Sequence, residues 1–310
     1  MRIATVTLNP AIDRNIIYEK SLAVGELNRV NSAVVNAGGK GINVSRMLKK
    51  LGEDTHIYGL NGGRTGKMLI EILEEEGIKC EFTPTECETR MNIKITDADN
   101  KETEINEKGG PVSEKEFKEL MSTLLASPSD IFIIGGSTPF GLESDTVRKI
   151  TAALKVRGKM VITDISGSSL VEAVKERPYL IKPNREEFGQ LLGYTPEEDK
   201  YIEEAISFYN KTGIEIILTL GKKGAVYSGR AGNYRIINPE VKAKGFSGAG
   251  DTFLASYVYA VCNDMDIRTA LAFASAASLS KVELEGTNLP DKLTIESNIQ
   301  RVKVFEIKNQ

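Results

Sequence analysis

Short apolar runs alternate with amphipathic stretches along most of this chain. RIATVTL (2–8) is rich in β-branched residues, reads as a strand, and stops at Asn9-Pro10. GGKGINVSRMLKKLG (38–52) takes a helical period through Ile42, Ser45 or Arg46, Leu48 and Leu51, with Gly52 as the stop. THIYGL (55–60) returns to strand, and GGRTGKMLIEILEEEG (62–77) is a glycine turn feeding a helix. From Glu114 the alternation is regular. Strands are expected at DIFIIGG, KMVITDI, YLIKPN and IEIILTL, then at KGAVYSG and NYRIIN. Helices are expected over 114–126, 143–157, 168–176, 185–192, 197–212, 250–262 and 266–281. Continuously apolar strands between amphipathic helices predict an α/β fold with a mostly parallel sheet covered on both faces.

Two stretches break that rhythm. Residues 16–37 contain IIYEK and RVNSAVVNAG, which read as strands with polar connections. TRMNIKITDADNKETEIN (89–106) alternates apolar and polar positions and predicts a hairpin-like pair around Asp97–Lys101. Together they predict a small sheet standing outside the main body.

Composition narrows the function. Of 310 residues 41% are hydrophobic, enough for a large core, and the formal charge of −3 is spread without blocks. No basic arm or aromatic ladder points to nucleic acid. Cys80, Cys87 and Cys262 lack metal-ligand spacing, and His56 is the single histidine, which argues against zinc and against a Ser-His-Asp triad. No signal-peptide pattern and no membrane-length apolar run is present, so a soluble cytoplasmic protein is expected, without a membrane partner.

Open α/β sheets bind ligands beyond the carboxyl ends of their strands. The unusual residues expected there are Asn9, Asp13, Gly62-Gly63, Gly135-Gly136, Asp164, Lys182 to Asn184, Thr219 to Gly221, and Gly248 to Asp251. Each alone is compatible with a simple turn. GAGD (248–251) offers adjacent N–H groups at a helix start for a transferring phosphoryl group, with Asp251 either taking a proton from an alcohol or capping the helix. Arg90, Asn92 and Lys94 share one face of a strand, which suits a phosphate or polyhydroxy ligand but also a solvated surface. Asn184 and Glu187 either form a capping box or approach a Mg²⁺-bound water and nucleotide phosphates. Neither GxxxxGK[ST] nor a GxGxxG after the first strand is present, which excludes a P-loop and weighs against a dinucleotide site.

Taken together these residues resemble the ribokinase-like carbohydrate kinases, the PfkB family, over essentially the whole chain. The resemblance is carried by AGGKGINVSRMLKKLG (37–52), KPNREE (182–187), TLGKKGAV (219–226) and GAGDTF (248–253). TLNPAID (7–13) and TRMNIKI (89–95) are most like the phosphosugar-kinase branch, and TVTLNPAIDR is most like its members acting on fructose 1-phosphate. It implies a ribokinase-like three-layer sandwich as one domain over 1–310, with a β-sheet lid from about 14–37 and 88–108 that pairs two copies into a homodimer. It implies ATP as donor, Mg²⁺ as companion, and a sugar phosphate as acceptor: fructose 1-phosphate first, with tagatose 6-phosphate or fructose 6-phosphate as alternatives. Asp251 would be the base, with Gly248, Ala249 and Gly250 as the anion hole. Asp13, Gly38, Gly39, Lys40 and Asn43 would hold the sugar, and Lys40, Arg90, Asn92 and Lys94 its phosphate. Lys182 and Asn184 would face the triphosphate, Glu187 the metal through water, and Thr219, Gly221 and Gly224 the nucleotide. The chain departs from the family pattern at Gly245, Phe246 and Ser247, where a polar pair usually precedes GAGD. That departure leaves a non-catalytic phosphosugar-binding protein as the alternative from another class.

Overall fold

The computed structural model describes residues 1–30, 32–99 and 101–308. Asn31, inside the expected 14–37 insertion, and Asn100, in the expected hairpin turn, lie outside the described residues, as do residues 309 and 310. The chain opens with β1 (Ile3–Thr7), β2 (Ala11–Ile17), β3 (Ser32–Gly38), α1 (Lys40–Lys50), β4 (Thr55–Gly62), α2 (Gly63–Glu75), β5 (Lys79–Thr85), β6 (Arg90–Thr96), β7 (Glu102–Asn106) and α3 (Glu114–Ala126). Regular alternation follows with β8 (Ile131–Gly135), α4 (Thr146–Val156), β9 (Met160–Asp164), α5 (Gly167–Ala173), β10 (Leu180–Ile181), α6 (Arg185–Leu192), α7 (Tyr201–Thr212) and β11 (Glu215–Thr219). The last part holds β12 (Ala225–Gly229), β13 (Gly232–Ile237), α8 (Ala249–Cys262), α9 (Ile267–Glu283), α10 (Lys292–Asn298) and β14 (Lys303–Glu306).

The large sheet has the order β14-β13-β12-β11-β10-β9-β8-β1-β4-β5. Every neighbouring pair from β11 to β5 is parallel, as the apolar strands predict, and β12 to β14 add an antiparallel edge. Successive strand residues point to opposite faces, so one short strand serves two cores. Ile131 and Ile133 of β8 join Val44, Met47 and Leu48 of α1 and the buried faces of α8 and α9. Phe132 and Ile134 join Leu120 and Leu124 of α3 and Ile150 and Leu154 of α4. The result is a three-layer sandwich. Truncating a core residue such as Leu48 to alanine costs about 2–5 kcal/mol. α10 and β14 extend the C-terminal end beyond the two apolar helices that the sequence predicts there. β14 owes its place to pairing with β13, a long-range partner that a four-residue segment does not announce.

The small sheet has the order β3-β2-β6-β7. β6 and β7 form the expected hairpin pair, while β2 runs parallel to β6 and antiparallel to β3. Only Leu8, Asn9 and Pro10 separate β1 in the large sheet from β2 in the small one. α2 fills the joint, with Leu69 and Leu73 packed on Ile12 of β2 and Ile57 of β4. Among the described residues no helix is long and apolar enough to cross a membrane.

Candidate active site

The carboxyl ends of β9 and β10 bring two buried, oppositely charged residues together. Asp164 ends β9, Lys182 follows β10, and Lys182 Nζ lies 3.1 Å from Asp164 Oδ2. Lys40, the first residue of α1, donates to the other carboxylate oxygen at 3.1 Å and stands 3.6 Å from Glu187 Oε1. Burial opposes the Asp164 charge, but Lys182 and Lys40 outweigh it and hold the carboxyl below its usual range. For Lys40 too, burial disfavours the charge, yet Asp164, Glu187 and Asp251 raise it above the usual lysine range.

Asp251 lies in the first turn of α8 and is 7% exposed. Its Oδ2 accepts a hydrogen bond from Asn43 Nδ2 of α1 at 2.7 Å. Burial, then the neighbouring Asp164 charge, pushes this carboxyl above its ordinary range, against the pull of Asn43, Lys40 and Lys182. Gly248 is the N-cap of α8 with φ of 77°, a left-handed conformation that glycine adopts without strain. The first-turn amides beyond it have no intrahelical acceptor, although the Ala249 N–H is engaged with Phe246 O at 3.3 Å. A Cβ on Gly250 would stand 3.2 Å from Lys182 Nζ, so the amides and this ammonium share one space.

Asn184 is the N-cap of α6. It accepts from the Glu187 N–H at 2.9 Å, and Glu187 Oε2 accepts from the Asn184 N–H at 2.9 Å. The capping box is therefore present, and Glu187 Oε1 still faces Lys40. The two readings of this pair are compatible. A cavity of about 560 Å³ opens beside it, lined by Asn184, Thr219, Gly221 and Gly224, and it reaches Ala249 and Gly250.

On the other side stands the small sheet. Asp13 and Asn92 are cross-strand partners, and Asn92 Nδ2 donates to Asp13 Oδ1 at 2.9 Å. Lys94 Nζ is 3.6 Å from Asp13 Oδ2 and donates to Ser247 Oγ at 3.0 Å, joining this sheet to the loop ahead of α8. Gly38 and Gly39 lead into α1, and a Cβ on Gly38 would meet Asp13 Cγ at 2.5 Å. Glycine at 38 is what admits the Asp13 carboxylate. Arg90 shares the strand face with Asn92 and Lys94, but its guanidinium donates to Asn9 O and Glu107 O. It clamps the joint between the sheets, while Lys94 points toward the α8 loop.

The structure adds partners that spacing did not supply. Asp164 emerges as the hub of the charge cluster; its signal was an acid closing the apolar run KMVIT at a strand end. Asn43 holds Asp251, a link across more than two hundred residues of chain. Phe246, part of the departure ahead of GAGD, also lines the cavity, as do Asn238, Val241, Ser275 and Leu279, which nothing in their local pattern marks.

Residues 6–293 match the sequence family described as pfkB family carbohydrate kinase. The chain belongs to the PfkB family. Among its relatives, the 1-phosphofructokinase of Bacillus subtilis (strain 168) is 34% identical over 292 residues, covering 92% of this chain and 94% of that protein. The tagatose-6-phosphate kinase of Staphylococcus epidermidis (strain ATCC 12228 / FDA PCI 1200) is 32% identical over 311 residues, covering 98% and 100%. The crystal structure of phosphofructokinase-2 from Escherichia coli in complex with substrates and products superposes with a TM-score of 0.91 at 26% identity, covering 97% of this chain and 99% of that one. The PfkB fold, a ribokinase-like sandwich with a smaller accessory sheet, is the one described above.

Proposed function

We propose that this PfkB protein transfers the γ-phosphoryl group of ATP to the C6 hydroxyl of fructose 1-phosphate, giving fructose 1,6-bisphosphate and ADP. The observation that carries this reading is Asp251: a buried carboxylate held by Asn43 at the mouth of α8. The nucleotide-sized cavity lies on one side of that helix start and the polar face of the small sheet on the other. Asp251 takes the proton of the sugar hydroxyl as its oxygen bonds to the γ-phosphorus. The bond from that phosphorus to the β-phosphate oxygen breaks, and its electron pair leaves with ADP. The amides of Gly248 and Gly250, that of Ala249 once its 3.3 Å contact with Phe246 O gives way, and the Lys182 ammonium meet the negative charge that spreads over the transferred group.

Asp13, Gly38, Gly39, Lys40 and Asn43 orient the sugar, with Asn92 steering the Asp13 carboxylate. Lys94 meets the existing phosphate, Arg90 supports it by bracing the joint at Asn9 O, and Lys40 adds its charge from beside Asp164. Thr219, Gly221 and Gly224 line the nucleotide, and Asn184 stands at the triphosphate end. Among the described residues no cluster of three or more acidic, histidine or cysteine side chains could hold a metal alone. Mg²⁺ keeps its waters and takes few carboxylates, so Glu187, acting through water, would hold it beside Asp164. When bound with ATP, Mg²⁺ neutralises phosphate charge. The small sheet acts as a lid that excludes water from the acceptor. Its face away from Asp13 carries the rows Val35–Arg14–Ile93–Ile105 and Ala33–Ile16–Ile95–Thr103, and Val35 and Ile105 are exposed. This apolar face supports a second copy of the chain covering it in a homodimer.

The test is ADP release with fructose 1-phosphate, tagatose 6-phosphate and fructose 6-phosphate, compared by kcat/KM. The highest value is expected with fructose 1-phosphate. A higher value with either 6-phosphate reassigns the acceptor. No sugar-dependent ADP release with any of them overturns the kinase reading in favour of a phosphosugar-binding protein.

A further inference from the structure

The reaction described above leaves one buried cation unused. Lys281, in the last turn of α9, is 1% exposed. Lysine is almost never fully buried unless paired, because removing an ammonium from water is costly. Among the described residues Lys281 Nζ donates to Gly286 O at 2.7 Å. It thereby ties the end of α9 to the turn that follows. The position suits a cation, since the last carbonyls of a helix carry partial negative charge. Burial, opposed by Glu102 of β7 and reinforced by the like charge of Lys94, holds the ammonium below the usual lysine range.

What lies against this side chain is the helix start that meets the phosphoryl group. A Cβ on Gly248 would stand 3.7 Å from Lys281 Cε, so the lysine stem passes directly behind the N-cap of α8. One residue along α9, Val282 O accepts the Lys244 N–H at 2.7 Å. The segment entering the turn is thus moored to the same end of α9. The turn itself supplies little to fix its shape. Glycines stand at 245 and 248, Phe246 is 60% exposed, and the turn's own ties are the Ala249 N–H to Phe246 O at 3.3 Å and Lys94 Nζ to Ser247 Oγ at 3.0 Å.

We propose that Lys281 is a positioning residue: a cation built into α9 that fixes the Gly248–Gly250 turn and holds a positive charge behind its amides. The proposal rests on the kinase reading for its effect on turnover. A charge held inside the protein is screened far less than one at the surface, so its field reaches the transferred group. Truncating the lysine leaves room beside Gly248 for a small cation from solution.

The experiment compares the wild-type protein with Lys281→Met, Lys281→Gln and Lys281→Ala, using fructose 1-phosphate and the two 6-phosphates as acceptors. Loss of the charge is expected to lower kcat about ten- to a hundredfold, with the sugar phosphate KM changed less than about twofold. Ammonium or potassium chloride is expected to restore part of the Lys281→Ala turnover, while tetramethylammonium chloride at equal ionic strength restores none. Lys281→Gln keeps a donor for Gly286 O and serves where the methionine variant does not fold; wild-type kcat in it overturns the charge. A loss that only tracks thermal midpoint, and that ammonium and potassium leave unmoved, reduces Lys281 to packing and overturns the proposal. Hydrogen exchange over 243–252 gives a readout independent of turnover. Faster exchange in Lys281→Met is expected, and unchanged exchange overturns the positioning role. If the wild-type protein turns over none of the sugars, the kinase reading fails while exchange still decides whether Lys281 holds the turn.

Discussion

Two buried acidic clusters sit at opposite ends of the same sheet, and they use their charge differently. At the amino end of β11, Glu215 is 1% exposed and accepts from Tyr227 Oη at 2.9 Å and Arg230 Nε at 2.6 Å. The Arg230 guanidinium lies 4.6 Å from the centre of the Tyr179 ring. Burial, with Tyr257 and Glu215 adding to it, pushes the Tyr227 phenol far up, so it remains a donor. At the carboxyl rim, Asp251 has Asn43 as its hydrogen-bonding partner and a like charge, Asp164, as its neighbour. Roughly 13 Å along β11 separates Glu215 from Thr219 on the cavity wall. The first cluster is satisfied by fixed neighbours. The second keeps a carboxylate in an uncomfortable state, with capacity to accept a proton.

The largest expected effect is at Asp251. Asp251→Asn is expected to lower kcat about 10³-fold or more, measured as sugar-dependent ADP release. It is also expected to raise the thermal midpoint at neutral pH, because a buried like charge beside Asp164 disappears. An unchanged kcat would end the base assignment. Lys182→Met comes next, leaving Asp164 with Lys40 alone; kcat is expected to fall about 10²-fold, with a stability loss of about 3 kcal/mol in urea titration. The opposite cluster supplies the contrast. Glu215→Ala is expected to cost about 1–3 kcal/mol by leaving the Tyr227 hydroxyl unpaired, while kcat stays within about twofold. A Glu215→Ala enzyme that is stable but slow would erase the distinction between the two ends. Gly38→Ala should act more gently still. Its methyl group displaces the Asp13 carboxylate, and the KM for the sugar phosphate is expected to rise about tenfold in steady-state kinetics while kcat changes less.

The smallest effect is one of pH. A raised Asp251 pKa means that the folded state holds this proton more tightly than the unfolded chain does. Its contribution to stability is complete below the ordinary carboxyl value of 3.8 and is lost as pH rises through the raised one. The depressed Asp164 value works in the opposite direction, its stabilisation being lost as pH falls through that value. The stability advantage of Asp251→Asn over wild type should therefore widen in thermal melts as pH rises from the ordinary carboxyl value of 3.8 through the raised one. A constant gap would contradict the raised value. The acid limb of kcat/KM should likewise lie above the range of a free aspartate.

Much of this architecture was legible because local pattern and fold agree. Apolar runs such as DIFII had to be covered on both faces, and the N-termini at Lys40 and Ala249 followed glycine turns. Asp251 and Glu187 were visible as acids at helix starts. What the chain did not disclose was pairing across distance. The parallel register of β2 on β6, which sets Asp13 beside Asn92, joins segments far apart, and no spacing rule contains it. For Lys40, sequence placed the residue near the sugar phosphate, whereas its ion pairs also tie it to Asp164 and Glu187. Lys281 drew no reading from the sequence, because the burial that sets it apart comes from long-range packing.

The short crossing at Leu8–Pro10 has a practical consequence. The small sheet is hung from β1 of the large one by a tether too brief to flex freely, and Arg90 grips that tether at Asn9 O. Any motion of the sheet must be largest at its far end, beyond Ile17, where Val24 is 93% exposed. A fluorophore attached there would travel with the plate yet touch none of the chemistry, so a closing lid would change its distance to the body and a fixed sheet would not.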